Sequence, residues 1–451
     1  MRSVGIQRVW RRRGASGKLL WLLLLPASWA YRFAVALRNL SYRWKCARVR
    51  ALNCPIISIG NLSVGGTGKT PATLWLAQRL MERGFKVGIL SRGYKRRGAS
   101  GKLLWLSLLP ASWAYRFAVA LRNLSYRWKC ARVRALNCPI ISIGNLSVGG
   151  TGKTPATLWL AQRLMERGFK VGILSRGYKR KGSGTIVLPG DRGVSSATID
   201  GSEALAAGDE PVMMARIYEL TVSVAKNRYQ AGMELLTKKS MDVLILDDGF
   251  QHRKLKRDLD LVLLGEDVPG WLLPCGPFRE PARSLKRADC FLVTGAAERW
   301  QRWIQANGGR PSFQAMLQPQ ALIGFESDRC KEYPLTLMYR SKILAVAGIA
   351  KPANFYQTIH EYDGEIVDTL EYPDHHDYSA ADWQQINRIA RDVDLIVTTE
   401  KDILKLIRFP FARGKLLALR VSMAVTQEEG LLDLVIGSIR SHARHQNEDR
   451  T

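Results

Sequence analysis

Acidic residues are scarce in this chain of 451 residues, with 39 Asp and Glu against 68 Lys and Arg, for a net charge of +29. Cysteine is scarcer still, at seven, and no two form a CxxC pair. Neither a zinc site nor a disulfide framework is therefore indicated, and reduced thiols in a cytoplasmic protein are expected. Long apolar runs are missing as well. The longest one near the N-terminus spans 13 residues, Leu19 to Tyr31, between Lys18 and Arg32, whereas a membrane-spanning helix needs about 20.

What the chain does have is a repeat. Residues 12–95 match residues 96–179 at a constant offset of 84 with one exchange, Leu23 against Ser107. Two nearly identical copies differ from solenoid repeats, which diverge and run to three or more. They point to a tandem duplication, in the gene or in its sequence record. Each copy carries 15 Lys and Arg against one acidic residue, so setting one aside leaves 367 residues, a charge of +15 and five distinct cysteines. The remainder is still basic and about two domains long.

The basic residues crowd the apolar run. Trp21, Trp29, Tyr31 and Trp44 alternate with Arg32, Arg38, Arg43, Lys45, Arg48 and Arg50, the mixture of an amphipathic helix lying in the headgroup layer of an anionic membrane. A cleaved signal peptide is the rival reading, from Arg11–Arg13 and "PASWA". It conflicts with "SVGGTGKT" further along, which approaches the phosphate-loop template GxxxxGK[ST] and so calls for cytoplasmic ATP. An ordinary buried helical hairpin is the third. The charge does not mark a nucleic-acid binder, because it interleaves with leucines rather than lining a groove or a recognition helix.

Beyond the helix, "CPIISIGNLS" reads as a buried strand entering a glycine loop, "PATLWLAQRLMERG" as a helix and "FKVGILSRGY" as a second strand. This βαβ unit favours a parallel sheet. Further strands at "DVLILDDG", "LDLVLLG", "DCFLVTG", "KILAVAGI" and "DLIVTTEKD" extend the alternation. The expectation is a doubly wound, mostly parallel α/β fold of the P-loop NTPase type, with a second, smaller α/β domain. Residues 1–95 would be the extra copy, 96–338 the helix and nucleotide domain, and 339–451 the smaller domain, joined near "CKEYPLTLMYRSK".

The loop fits the phosphate-binding template GxxxxGK[ST] in every position but the first. It comprises Ser147, Val148, Gly149, Gly150, Thr151, Gly152, Lys153 and Thr154, repeated at Ser63, Val64, Gly65, Gly66, Thr67, Gly68, Lys69 and Thr70. Glycines let backbone N–H groups close on phosphate oxygens, the lysine reaches the β- and γ-phosphates, and the threonine hydroxyl is a Mg²⁺ ligand. Asp247 and Asp248 follow four aliphatic residues and are the expected metal-side acids. An Asp-Asp-Gly turn is the alternative. Asp209 and Glu210, just before Pro211, read on spacing alone as a helix N-cap. In "PDHHDYS", His375 or His376 is expected to pair with an acid rather than share a metal ion.

In order along the chain, "GNLSVGGTGKTP", "SRGY", "GDEP", "DDGFQHRKLKRDLD", "LPCGPFREP", "AGIAKP", "PDHHDYS" and "TEKD" resemble the tetraacyldisaccharide 4'-kinase family of lipid A biosynthesis. The resemblance covers nearly all of the chain from residue 96, and residues 1–95 resemble a start of the same family, so the repeat departs from its pattern. It implies transfer of the γ-phosphoryl group of ATP, with Mg²⁺, to the 4'-hydroxyl of a lipid-anchored glucosamine disaccharide at the cytoplasmic face of the inner membrane. It makes Asp209 the base, against the cap reading, and His375 its partner. It puts Arg176, Tyr178 and Arg228 near substrate phosphate or sugar, Gln251 and His252 beside nucleotide or metal, and Glu210 among the substrate or neighbouring residues. A membrane-associated ATPase switch is the competing reading. Such proteins carry a lysine before the paired glycines, where Val148 stands here, and "TEKD" lacks the asparagine of a guanine-reading element.

Overall fold

The computed structural model describes residues 99–128, 130–148, 151–178, 180–190, 201–267, 270–326, 329–349, 352–412 and 414–448. The first copy, with the expected loop Ser63 to Thr70, lies outside the described residues, as do Gly149 and Gly150 of the second loop. Residues 96–451 form one compact unit.

The unit opens with α1 (Ala99–Arg127), followed by β1 (Ile140–Asn145), α2 (Lys153–Glu166), β2 (Val171–Ser175) and β3 (Ile186–Leu188). Next come α3 (Ser202–Ala207), α4 (Asp209–Arg216), β4 (Thr221–Val224), α5 (Arg228–Lys238), β5 (Val243–Asp247), β6 (Leu259–Leu264), β7 (Cys290–Val293) and α6 (Ala297–Ala306). The C-terminal part holds β8 (Ser312–Glu326), β9 (Arg329–Tyr333), β10 (Lys342–Ala347), α7 (Ala353–Glu361), β11 (Glu365–Glu371), α8 (Ala380–Ile389), β12 (Leu395–Thr399), α9 (Glu400–Leu406), β13 (Leu416–Val425) and α10 (Glu428–Glu448).

The strands order as β11-β10-β12-β13-β8-β7-β6-β1-β5-β2-β4-β3, with β9 paired to β8. Pairing is parallel from β11 to β13 and from β8 to β4. The two runs meet where β8 lies antiparallel to β13. The long β8 thus carries one sheet across the expected junction near residue 338. Strands β1, β5 and β6 are buried at every residue, as strands covered by helices on both faces must be. Alternation then splits their side chains. Ile141, Ile143 and Ile245 pack with Leu160 and Leu164 of α2, while Ile140, Leu244 and Leu246 pack with Ala231 and Leu235 of α5 on the other face.

Helix α1 has two faces. Ser112 and Val119 are buried. Ser112 Oγ donates to the Leu272 carbonyl at 3.1 Å, Tyr115 Oη to that of Arg279 at 3.0 Å, and Arg122 pairs with the buried Glu280 at 2.5 Å. On the opposite side Trp113, Phe117, Leu121 and Trp128 are 60%, 65%, 51% and 68% exposed. At about 100° per residue these four fall within one arc of about 80°. No helix among the described residues is long and apolar enough to cross a membrane.

Candidate active site

Strand β1 is where the chain changes direction across the sheet: β5, β2 and β4 lie to one side, β6 and β7 to the other. The carboxyl end of such a strand opens a crevice for ligands. The buried Asn145 ends β1 and braces the loop that follows, its Nδ2 donating to Thr151 Oγ1 at 2.8 Å and its Oδ1 accepting from Lys153 Nζ at 3.2 Å. Gly152 caps α2 with φ +84°, a left-handed conformation that favours glycine; a Cβ there would also press on Met423 at 3.2 Å. The outer wall of the loop is the "LPCGPFREP" segment, whose Pro277 carbonyl accepts from Val148 N at 2.7 Å and whose Phe278 bridges Ser147. Thr154 lies half-buried in the first turn of α2.

Asp247, at the end of β5, accepts from Thr157 Oγ1 at 3.3 Å. Burial, and then the neighbouring Glu210 and Asp248 carboxylates, push its carboxyl up to about 7. Asp248 follows with φ +48°, a costly conformation for a residue with a side chain and one that concentrates at functional sites. Arg279 Nη1 donates to both its oxygens, at 3.1 and 2.9 Å, and Lys153 Nζ is 3.8 Å away. Gln251 joins the same cluster, accepting from Arg279 at 3.3 Å and donating to the Asn145 carbonyl at 2.7 Å. Burial and then Arg228, Arg257, Lys254 and Arg176 drive the His252 imidazole down to about 4.

Asp209 does not cap its helix. Gly208 holds that position without a side-chain bond. The Asp209 carboxylate instead meets His375 Nδ1 at 2.9 Å and Lys405 Nζ at 2.8 Å, both on Oδ2. Burial works to raise its pKa; the His375 hydrogen bond and the Lys405 cation outweigh it and hold the group below the usual carboxylate range. His376 takes a different acid, Asp382, at 3.0 Å, so the two adjacent rings do not share a partner. Glu210 pairs with Lys401. The Tyr178 ring lies 5.7 Å from that of His375. "SRGY" and "GDEP" touch closely enough that a Cβ on Gly177 would fall 2.4 Å from the Ala207 carbonyl. Arg176 is exposed, and Arg228 is buried with its pKa lowered to about 10, by burial first and Arg176 second.

The fold therefore gathers the loop, the acidic pair, Gln251 and the Asp209–His375 pair at one end of the sheet. Asn145, Arg279, Lys401 and Lys405 belong to the same cluster and are absent from the sequence expectations. Asn145 sits inside the quoted loop motif, and Arg279 inside "LPCGPFREP"; the two lysines follow "TE" in a helix whose outward pattern looks ordinary.

The family model for tetraacyldisaccharide-1-P 4'-kinase matches residues 20–105 and 103–440. The chain is 38% identical over 342 residues to the tetraacyldisaccharide 4'-kinase of Syntrophus aciditrophicus (strain SB), covering 71% of this chain and 90% of that protein. It is 33% identical over 336 residues to that of Aquifex aeolicus (strain VF5), covering 74% and 98%. Among solved structures, LpxK from Aquifex aeolicus in complex with ATP superposes with a TM-score of 0.61 at 32% identity, over 74% of this chain and 99% of that one.

Proposed function

The chain belongs to the tetraacyldisaccharide-1-P 4'-kinase family, and on that premise we infer how its residues move the γ-phosphoryl group of ATP to the 4'-hydroxyl of a tetraacyl glucosamine disaccharide 1-phosphate. The observation that carries the reading is the Asp209 carboxylate, held ionised by His375 and Lys405 and next to Glu210, whose charge acts on Asp247 at the end of β5. Phosphoryl transfer asks mainly for positioning and neutralisation of charge, with one base to take the hydroxyl proton.

In this reading the loop from Ser147 to Thr154 cradles the ATP phosphates and Lys153 neutralises them, with Asn145 and Asp248 holding its ammonium in place. Asp209 accepts the proton of the 4'-hydroxyl, His375 orients the carboxylate, and the oxygen attacks the γ-phosphorus as ADP leaves. Arg176, Tyr178 and Arg228 face the sugar and its phosphate, with Gln251 and His252 at the nucleotide side. Burial, and then the Glu210 and Asp248 carboxylates, lift Asp247 to about 7, and a divalent cation beside it would favour the ionised form. Thr154, Asp247 and Asp248 are hard oxygen donors of the kind Mg²⁺ accepts. A cage of three acidic, His or Cys ligands is missing among the described residues, and Mg²⁺ beside phosphates needs only one or two carboxylates. A Mg²⁺ ion held by these residues would neutralise phosphate charge.

The exposed face of α1 seats the enzyme on the anionic cytoplasmic surface of the inner membrane, as a monotopic protein, where its lipid substrate resides. An ATPase switch would have no use for a base opposite the phosphate loop. The test is a kinase assay with Asp209→Asn, His375→Ala and the double variant. Each single change is expected to lower turnover by about 100-fold or more, and the double little further, because members of such a pair act as a unit. Multiplying losses in the double variant would refute the pairing.

A further inference from the structure

We propose that Lys405 is a positioning residue for the Asp209–His375 pair, fixing Oδ2 of Asp209 so that Oδ1 is presented to the substrate hydroxyl. The inference rests on the reading of Asp209 as the base. Its footing is geometric. The Lys405 side chain is only 8% exposed, and a buried ammonium is costly unless paired and hydrogen-bonded. It has two partners: Asp209 Oδ2 at 2.8 Å, and the backbone carbonyl of His376 at 3.0 Å. One partner is the acid itself and the other belongs to the loop that carries His375, so a single cation ties together the two segments that make the pair.

The helix that delivers Lys405 is itself held in place. Thr399 caps it through Asp402, Asp402 Oδ2 accepts from Gly348 N at 2.9 Å, and Glu400 accepts from Tyr218 Oη at 2.6 Å. Lys401 and Lys405 are four residues apart and so share one face of this helix. They meet the adjacent acids Glu210 and Asp209 respectively. The other groups facing Asp209 are His375, with Asp374 3.9 Å from its Nε2, and the Tyr178 ring packed on that imidazole. The His375 and Lys405 contacts both converge on Oδ2, which among the described residues leaves Oδ1 to accept a proton.

A cation beside a carboxylate favours its ionised form. Removing it raises the pKa of the base, so activity should be lost at the acidic end first. The experiment measures kcat and KM of the full-length chain against pH, with ATP and a tetraacyl disaccharide 1-phosphate in detergent, for wild type, Lys405→Met and Lys405→Gln. For Lys405→Met we expect kcat at neutral pH to fall by about 10- to 100-fold, a loss in the range of general-base effects. KM for ATP should stay within about twofold, and the acidic limb should move up by about one pH unit. Lys405→Gln, which keeps the donors and loses the charge, should show the same displaced limb with a kcat at high pH closer to wild type. A loss of kcat with an unmoved acidic limb in the glutamine variant would overturn the proposal and leave Lys405 a purely structural ion-pair partner. If Lys405→Met fails to fold, the limb of Lys405→Gln decides alone. Full activity of Asp209→Asn would instead remove the reading beneath it.

Discussion

The exposed stripe of α1 makes a quantitative prediction about membrane seating. Trp113, Phe117, Leu121 and Trp128 are half to two-thirds exposed, and full burial of a large apolar side chain stabilises by about 1.5–3 kcal/mol. Scaled by exposure, each therefore contributes about 1–2 kcal/mol on entering the headgroup and acyl boundary, and Trp113 with Phe117 about 3 kcal/mol. That is a factor of about one hundred in partitioning. The first copy repeats the same letters, with Trp29 and Phe33 at the matching positions, so the perturbation must reach both. Co-sedimentation with vesicles containing phosphatidylglycerol should show Trp113→Glu/Phe117→Glu weakened in part, and the quadruple variant with Trp29→Glu and Phe33→Glu weakened by about one hundredfold or more. The exposed Arg116, Arg127 and Arg132 should make residual binding fall with salt, since exposed charges are screened. A quadruple variant that sediments like wild type would refute the argument that this face meets lipid.

Two further predictions concern the nucleotide side. Lys153→Ala should abolish kinase activity and Lys69→Ala leave most of it, because only the second loop is followed directly by the strands that complete the sheet; equal partial losses, measured as labelled lipid formed, would show that the copies exchange. Asp247 gives a pH dependence with a definite sign: its folded pKa, about 7, lies above the unfolded value of about 3.9, so the folded state binds the extra proton and metal-free stability falls as pH rises from about 4 to about 7. Thermal melts in chelator should show that decline, Asp247→Asn should flatten it, and Mg²⁺ should raise the melting temperature more at pH 8 than at pH 5; an identical pH dependence in Asp247→Asn would remove this group as its cause.

The parts of the site that are contiguous in the chain were legible from their letters. A buried strand, a glycine loop and a helix in succession leave little choice, and the observed β1, Gly152 and α2 follow that order. Asp247 was legible for the same reason, as an acid at the end of an aliphatic run. Asp209 was not: three residues of local spacing favour a cap, and its true partner lies 166 residues away, a distance over which periodicity carries no information. Only the resemblance to a family joined it to His375. Lys405 and Arg279 stayed hidden because a lysine on a short helix and an arginine in a proline-rich loop look like surface groups until the fold turns them onto Asp209 and Asp248. The antiparallel meeting of β8 with β13 was likewise invisible, since strand order is set by which edges meet in space.

The most direct test of the central claim follows the label from [γ-³²P]ATP. Full-length enzyme incubated with Mg²⁺ and a tetraacyl disaccharide 1-phosphate should yield a lipid bisphosphate carrying the label at the 4' oxygen, and Asp209→Asn should form almost none. Release of labelled inorganic phosphate with no labelled lipid, or a lipid labelled at another hydroxyl, would contradict the account.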